Sequence, residues 1–142
     1  MEIEIMEKLP SSEDYNQLRK VVGWGIYEPE VIEKSLPNSL YGLCAVADNK
    51  IIGMARVIGD DGLAYYIQDV IVRPEYQRQG IGKKMMERIM AYIRSRAKHN
   101  TFIGLMAAKG KEPFYVRYGF TPRPNEDFGS GMTIYWKDSR IS

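Results

Sequence analysis

Apolar and polar positions alternate with period two in three consecutive runs, residues 40–47, 51–58 and 63–72. That period predicts three strands. The breaks between them, Asp48-Asn49-Lys50 and Asp60-Asp61-Gly62, are short and rich in turn residues, so the strands are expected to form an antiparallel meander. Residues 2–7 alternate acid and apolar side chains like an edge strand. Period 3.6 takes over elsewhere. Ser11-Ser12-Glu13-Asp14 reads as a helix N-terminus with Tyr15, Leu18, Val21 and Val22 as its apolar stripe, and Gly23-Trp24-Gly25 stops it. Pro29 opens a second short helix ending near Leu36. Ile81, Met85, Ile89 and Ile93 fall four apart on the longest helix. Residues 100–107 read as a further strand, 111–118 as a short helix stopped by Gly119, and 132–137 as a final strand. This order predicts one α/β (α+β) domain over residues 1–142, a mixed, mostly antiparallel sheet flanked by helices.

One position breaks the alternation. In the series Leu63, Tyr65, Ile67, Asp69, Ile71, a carboxylate stands on what strict alternation makes an apolar face. It has to be paired, hydrated, or rotated outward by a bulge.

At 142 residues, 44% of them apolar, the chain can bury one sizeable core. Its lone cysteine, Cys44, forms no internal disulfide and reads as a small buried hydrophobe. Neither a signal-peptide pattern nor an apolar run long enough to span a bilayer stands out, so the expected location is cytoplasmic. Net charge is only +2, which gives no reason to expect nucleic acid. The charge is uneven, however: residues 73–98 carry eight bases and two acids, residues 1–34 eight acids and four bases. An anion suits the first segment and a cationic amine the second. With a single histidine, His99, no histidine-based metal site is expected.

The chemistry concentrates where the third meander strand ends. Residues 67–72 give way to Arg73-Pro74-Glu75-Tyr76 and then to Gln77-Arg78-Gln79-Gly80-Ile81-Gly82-Lys83-Lys84, which opens the long helix. Glycines at a strand-to-helix junction let several N–H groups turn toward one anion while the helix dipole adds positive potential. A P-loop requires Gly-Lys-Ser/Thr, and here Lys83-Lys84 follows Gly82. A dinucleotide fingerprint requires a third glycine or alanine, and Met85 occupies that place. What fits is Gln/Arg-x-x-Gly-x-Gly/Ala after Val-x-Pro, met by Gln77 to Gly82 after Val72-Arg73-Pro74. Downstream, Phe114-Tyr115-Val116-Arg117-Tyr118-Gly119-Phe120 supplies a second motif of the form Phe-Tyr-x-x-x-Gly-Phe.

Together these motifs resemble the GNAT superfamily of acetyl-CoA-dependent N-acetyltransferases. The resemblance implies a splayed strand pair with acetyl-CoA in the gap. Its pantetheine would bond to main-chain groups of Val70, Ile71 and Val72 and of the strand around 105–107. Its pyrophosphate would meet amides of Gln77, Arg78, Gln79, Gly80, Ile81, Gly82 and Lys83, with side-chain charge from Arg78 and Lys83 or Lys84. Tyr115 occupies the place of the family's general-acid tyrosine, and Asp69 is a candidate general base or water-positioning group. Trp24, Tyr27, Tyr65 and Tyr66 could line an amine pocket, and Glu126 or Asp127 could hold an ammonium. The expected partners are acetyl-CoA and a small amine, with no metal, nucleic acid or membrane; a homodimer is compatible with the sequence. The implied reaction is direct acetyl transfer to a primary amine. Acetylation of a protein or peptide amine and noncatalytic acyl-CoA sensing are the alternatives.

Overall fold

The structure is a computed structural model and describes residues 2–138. It divides at Leu105 into a larger unit and a smaller unit, the second starting at Met106.

The larger unit is a five-stranded sheet in sequence order, with strands β1 (Ile3–Met6), β2 (Tyr41–Ala47), β3 (Lys50–Gly59), β4 (Ala64–Val72) and β5 (Phe102–Leu105). The first three pairings are antiparallel and β4–β5 is parallel. Asp48 and Asn49, at φ 49° and 61°, make the two-residue β2–β3 turn, a backbone that short Asn and Asp side chains tolerate. The β3–β4 turn is tied down by Asp60, whose carboxylate accepts from the N–H groups of Gly62, Leu63 and Ala64 at 2.8–3.0 Å. These bonds, that from Ala64 foremost, hold its pKa below the ordinary carboxylate value.

Helices cover both faces. Helix α1 (Ser12–Val21) starts at Ser11, whose hydroxyl accepts from Asp14 N–H. It ends in a Schellman motif: Gly23 lies at φ +82°, its N–H reaches Lys20 O, and Trp24 N–H reaches Arg19 O. With α2 (Pro29–Ser35) and a 3₁₀ turn (Leu36–Asn38), it packs Tyr15, Leu18, Ile32 and Leu36 against Cys44, Ile51, Met54 and Ile71 of the sheet. Helix α3 (Ile81–Arg96) buries Ile81, Met85, Met86, Ile89, Met90 and Ile93, which includes the four residues spaced four apart that marked its apolar face. Tyr92 of α3 stacks on Tyr41 of β2 with ring centres 4.4 Å apart.

Register shifts twice. The β3–β4 ladder passes from Met54↔Ile71 to Arg56↔Gln68, so Asp69 and Val70 oppose the single residue Ala55. That is a bulge, and Asp69 lies in it at φ +57°. It reverses the parity of the strand. Upstream, Tyr65 is fully buried and donates to Asp61, the carboxylate that also receives Arg96 of α3. Downstream, Ile71 packs with the α1–α2 cluster.

Among its described residues the smaller unit holds one helix, α4 (Glu112–Val116), shorter than the predicted 111–118. Gly119 follows at φ +99°. Phe114 packs edge-to-face on Tyr115 and Tyr118, and Tyr115 on Phe120. The predicted strand at 132–137 does not form among the described residues, and Met132, Ile134, Tyr135 and Trp136 are 73–90% exposed. Alternation at 132–137 signals β propensity, but a strand also needs a partner edge, which a segment's own sequence does not supply. The predicted strand at 100–107 is likewise trimmed to Phe102–Leu105.

Candidate active site

Two features of the larger unit carry chemistry, and β4 joins them. The first is its unpaired edge. The parallel ladder with β5 runs from Ala64↔Phe102 to Ile67↔Leu105, and residues 68–72 continue along β3 alone. Arg73 N–H bonds to Ile52 O on β3. By alternation Ile71 directs its main-chain groups to β3, while those of Val70 and Val72 face the open edge. Of the three residues expected to offer backbone there, Ile71 is therefore turned inward. Val72 O is already met by the Gln77 side-chain amide at 2.9 Å.

The second is the loop that follows. A 3₁₀ turn (Pro74–Tyr76) consumes the Gln77 N–H, which donates to Pro74 O at 3.2 Å, so Gln77 contributes its side chain to the strand end rather than an amide to the loop. Arg78 at φ +65° and Gly80 at φ +80° then curl the chain into α3. Arg78, Gln79, Gly80, Gly82, Lys83 and Lys84 are exposed or half-buried, whereas the Ile81 side chain plugs the core. Lys84 N–H makes the first helical bond, to Gly80 O. The N–H groups of Ile81, Gly82 and Lys83 thus have no acceptor within the helix, and the positive end of a 16-residue dipole lies behind them. This cradle fits a diphosphate.

Asp69 marks a third feature, and its partners were not legible one by one. Its side chain is 1% exposed. Oδ2 accepts from Tyr15 Oη at 2.8 Å and from Arg56 Nε at 2.8 Å, and Oδ1 accepts from Arg19 NH1 at 3.0 Å. Arg56 also donates to Ser39 Oγ, and Arg19 Nε to Gly25 O at 2.6 Å. Burial, and after it the Asp69 charge, pushes the Tyr15 hydroxyl up to about 12, which keeps it a donor. A signal for Arg56 did exist: it interrupts the apolar run of β3, half-buried between Ala55 and Val57, so oppositely charged residues break the patterns of adjacent strands.

The aromatic candidates separate. Trp24 and Tyr27 are brought together around the Arg19 guanidinium, at 5.3 and 4.9 Å from their ring centres. Tyr65 is fully buried on the α3 side, with its hydroxyl donating to Asp61. Tyr115 sits half-buried in the aromatic cluster of the smaller unit, and burial pushes its hydroxyl up to about 12, with Tyr118 adding to the rise. Glu126 and Asp127 are exposed in a loop that Asn125 braces. Cys44 is fully buried, which raises its thiol to about 11. Among the described residues no His, Cys, Asp and Glu cluster suits a metal ion. An open groove of about 470 Å³ between α1 and the start of α2 is lined by neither Asp69 nor the 77–83 loop.

Residues 39–122 match the acetyltransferase (GNAT) domain family. The chain belongs to the GNAT acetyltransferase family. A probable acetyltransferase from meticillin-resistant Staphylococcus aureus has the same fold at a TM-score of 0.88, with 36% identity across 95% of this chain and all of that one. An uncharacterised ycf52-like N-acetyltransferase from Prochlorococcus marinus is 30% identical over 115 residues, 78% of this chain and 63% of its own length. A chloroplastic GCN5-related N-acetyltransferase 2 from Arabidopsis thaliana is 39% identical over 77 residues, 54% of this chain. The chain thus spans less than two thirds of the length of these two curated relatives, 63% and 29%. The five-stranded, mostly antiparallel sheet with flanking helices is the GNAT fold anticipated above.

Proposed function

We propose that the chain transfers acetyl from acetyl-CoA to the primary amine of a small molecule in a single ternary complex. The observation that carries this is the adjacency of the open β4 edge and the amide cradle at Arg78 to Lys83, one suited to a pantetheine and the other to a diphosphate. The GNAT family match, residues 39–122, runs across the division at Leu105, which supports treating residues 1–142 as one catalytic domain. A fold neighbour from Clostridium acetobutylicum was crystallised with acetyl-CoA, which is consistent with the cofactor reading.

In this reading the neutral amine nitrogen attacks the thioester carbonyl carbon and a C–N bond forms. The oxyanion is met by the edge-facing Val70 N–H. The C–S bond then breaks and the departing thiolate takes a proton, the role proposed for the Tyr115 hydroxyl, while the ammonium proton passes to water and from water back to the phenolate. A phenol raised to about 12 stays protonated throughout the neutral range, as a general acid must. Asp69 positions its surroundings rather than abstracting the proton, because its oxygens are committed to Tyr15, Arg19 and Arg56 and sealed from solvent. Trp24 and the 44% exposed Tyr27 suit an amine carrying an aryl group. A chloroplastic serotonin N-acetyltransferase 2 from rice, 29% identical over 89% of this chain and 63% of its own length, supports that choice. The single, buried cysteine suits a reducing compartment such as the cytoplasm.

The test is an acetyl-CoA-dependent screen of arylalkylamines, polyamines, amino sugars, amino acids and peptides, following released thiol. Turnover is expected with arylalkylamines. Preference for peptides would favour a protein acetyltransferase. CoA binding with no turnover of any amine would favour a sensor, and no CoA uptake at millimolar ligand would overturn the assignment.

A further inference from the structure

The connection between α1 and α2, residues 23–28, packs Trp24 half-buried against the α1–α2 core cluster but holds two large side chains outward: Ile26 is 61% and Tyr27 44% exposed. Such a segment would ordinarily be the most mobile part of the unit. Here Trp24 is held by its packing and by its N–H on Arg19 O, and the rest of the connection is fastened at two further points. Asn16 grips the Tyr27 backbone from both sides, its Nδ2 donating to Tyr27 O at 2.7 Å and its Oδ1 accepting from Tyr27 N–H at 3.0 Å. Arg19 does more: Nε donates to Gly25 O at 2.6 Å, NH1 donates to Asp69 at 3.0 Å, and the guanidinium plane is packed among Tyr15, Trp24 and Tyr27. Arg19 is only 9% exposed, and burying a guanidinium is costly unless its geometry is used. Two bonds in different directions plus ring contacts demand the planar fork, which a lysine lacks.

We infer that Arg19 is a positioning residue for the acceptor, fastening the 23–28 connection to the β4 bulge through Asp69 so that Trp24 and Tyr27 stand in place before the amine arrives. Binding then avoids the entropy of ordering that connection. The inference rests on the acceptor reading given above, in which Trp24 and Tyr27 meet the substrate. It also explains why the aromatic group itself is no ammonium cage: the guanidinium already fills it.

Arg19→Met keeps length and apolar contact and removes the donors, and Arg19→Lys keeps charge alone. Asn16→Ala loosens only the Tyr27 end and leaves Asp69 and its partners intact, which keeps the test available if Arg19→Met does not fold. Hydrogen exchange at the amides of Trp24 to Tyr27 is expected to quicken at least tenfold in Arg19→Met, with the amides of Ile89 to Ile93 unchanged. Acceptor KM is expected to rise at least tenfold while the CoA Kd by calorimetry stays within twofold. Lys at position 19 should recover less than a third of the loss, and Asn16→Ala should show the same split at smaller size. Unchanged exchange at 24–27 overturns the inference, as does a parallel loss of CoA binding, which a general structural defect would give. If the wild-type chain acetylates no amine, the functional reading fails, yet the exchange data still decide whether Arg19 holds the connection.

Discussion

Replacing Asp69 by Asn measures how much the buried charge cluster contributes. The substitution preserves volume and tolerance of the left-handed backbone at φ +57°, and removes only the negative charge and one acceptor oxygen. The two guanidinium groups left behind have side chains only 10% and 14% exposed, so water cannot readily replace the carboxylate. Breaking a buried pair from one side costs about 3–5 kcal/mol, mostly the desolvation of the stranded partner. Three bonds to one carboxylate, at 2.8, 2.8 and 3.0 Å, favour the upper half of that range. Against a total of about 5–15 kcal/mol for a domain, such a loss is a large share of the whole, and at about 3 °C per kcal/mol it lowers Tm by about 10–15 °C.

Urea unfolding followed by tryptophan fluorescence reads this directly, and the slope m should be unchanged while the midpoint falls. Asp61→Asn serves as the contrast, since the Arg96–Asp61 pair is 47% and 36% exposed, so water replaces the lost charge and the midpoint should move far less. Adding Arg56→Met to Asp69→Asn should cost less than the sum of the two, because the second change removes one of the stranded cations. A loss under about 1 kcal/mol for Asp69→Asn, or strict additivity in the double variant, would show that the cluster is hydrated in solution and that its geometry carries little energy.

Three further outcomes follow from other residues. Gly80→Ala meets open space but must hold φ +80°, so it should cost about 1 kcal/mol or slightly more in stability and weaken CoA binding several-fold by calorimetry; unchanged affinity would remove the amide cradle from the cofactor site. Tyr115→Phe should lower kcat by about 10²-fold or more with CoA affinity retained, and in the wild type the rate should not fall from phenol ionisation until pH approaches 12, an earlier decline assignable to Tyr115 excluding it as the acid. Tyr15 has a folded-state pKa of about 12 above its ordinary 10, so the stability it contributes is full below pH 10 and is lost as pH rises to 12; wild type should lose about 2–3 kcal/mol more than Tyr15→Phe across that window in urea titrations at each pH.

Periodicity disclosed most of the larger unit because each of its elements buries one face. The meander, the long helix and the α1 and α2 boundaries were readable from period, caps and turn residues: Ser11, Gly23, Pro29, and the Asp48-Asn49 pair. The loop at 77–83 was readable because glycine spacing is a backbone property that side-chain chemistry does not obscure. Partners distant in sequence were not. Asp69 was visible as an anomaly, but nothing local says that its counterions are 50 residues upstream on α1 and 13 upstream on β3. Gln77 was misplaced as a donor for a related reason: proline at 74 sets up a 3₁₀ turn that uses its N–H, a competition decided by one short-range bond. For residues 132–137, alternation stated a preference without stating a partner.

The bulge at Asp69 shows why the cluster and the cofactor edge are best treated as one device. An inserted residue lets β4 serve two layers, with Tyr65 buried on the α3 side before it and Ile71 on the α1–α2 side after it. The same insertion coincides with the end of the β5 ladder, so β4 runs past it with Val70 and Val72 directed to the open edge, the Val72 carbonyl held by the Gln77 side chain. Holding a non-glycine residue at φ +57° costs about 1–2 kcal/mol, which glycine at 69 would recover. Glycine would also strand Arg19 and Arg56, at a larger cost of about 3–5 kcal/mol. The balance favours aspartate: backbone strain is offset by a carboxylate that locks the bulge from α1 and β3 together. Relieving the strain without replacing the charge should therefore lower stability, with the midpoint of urea unfolding falling in Asp69→Gly.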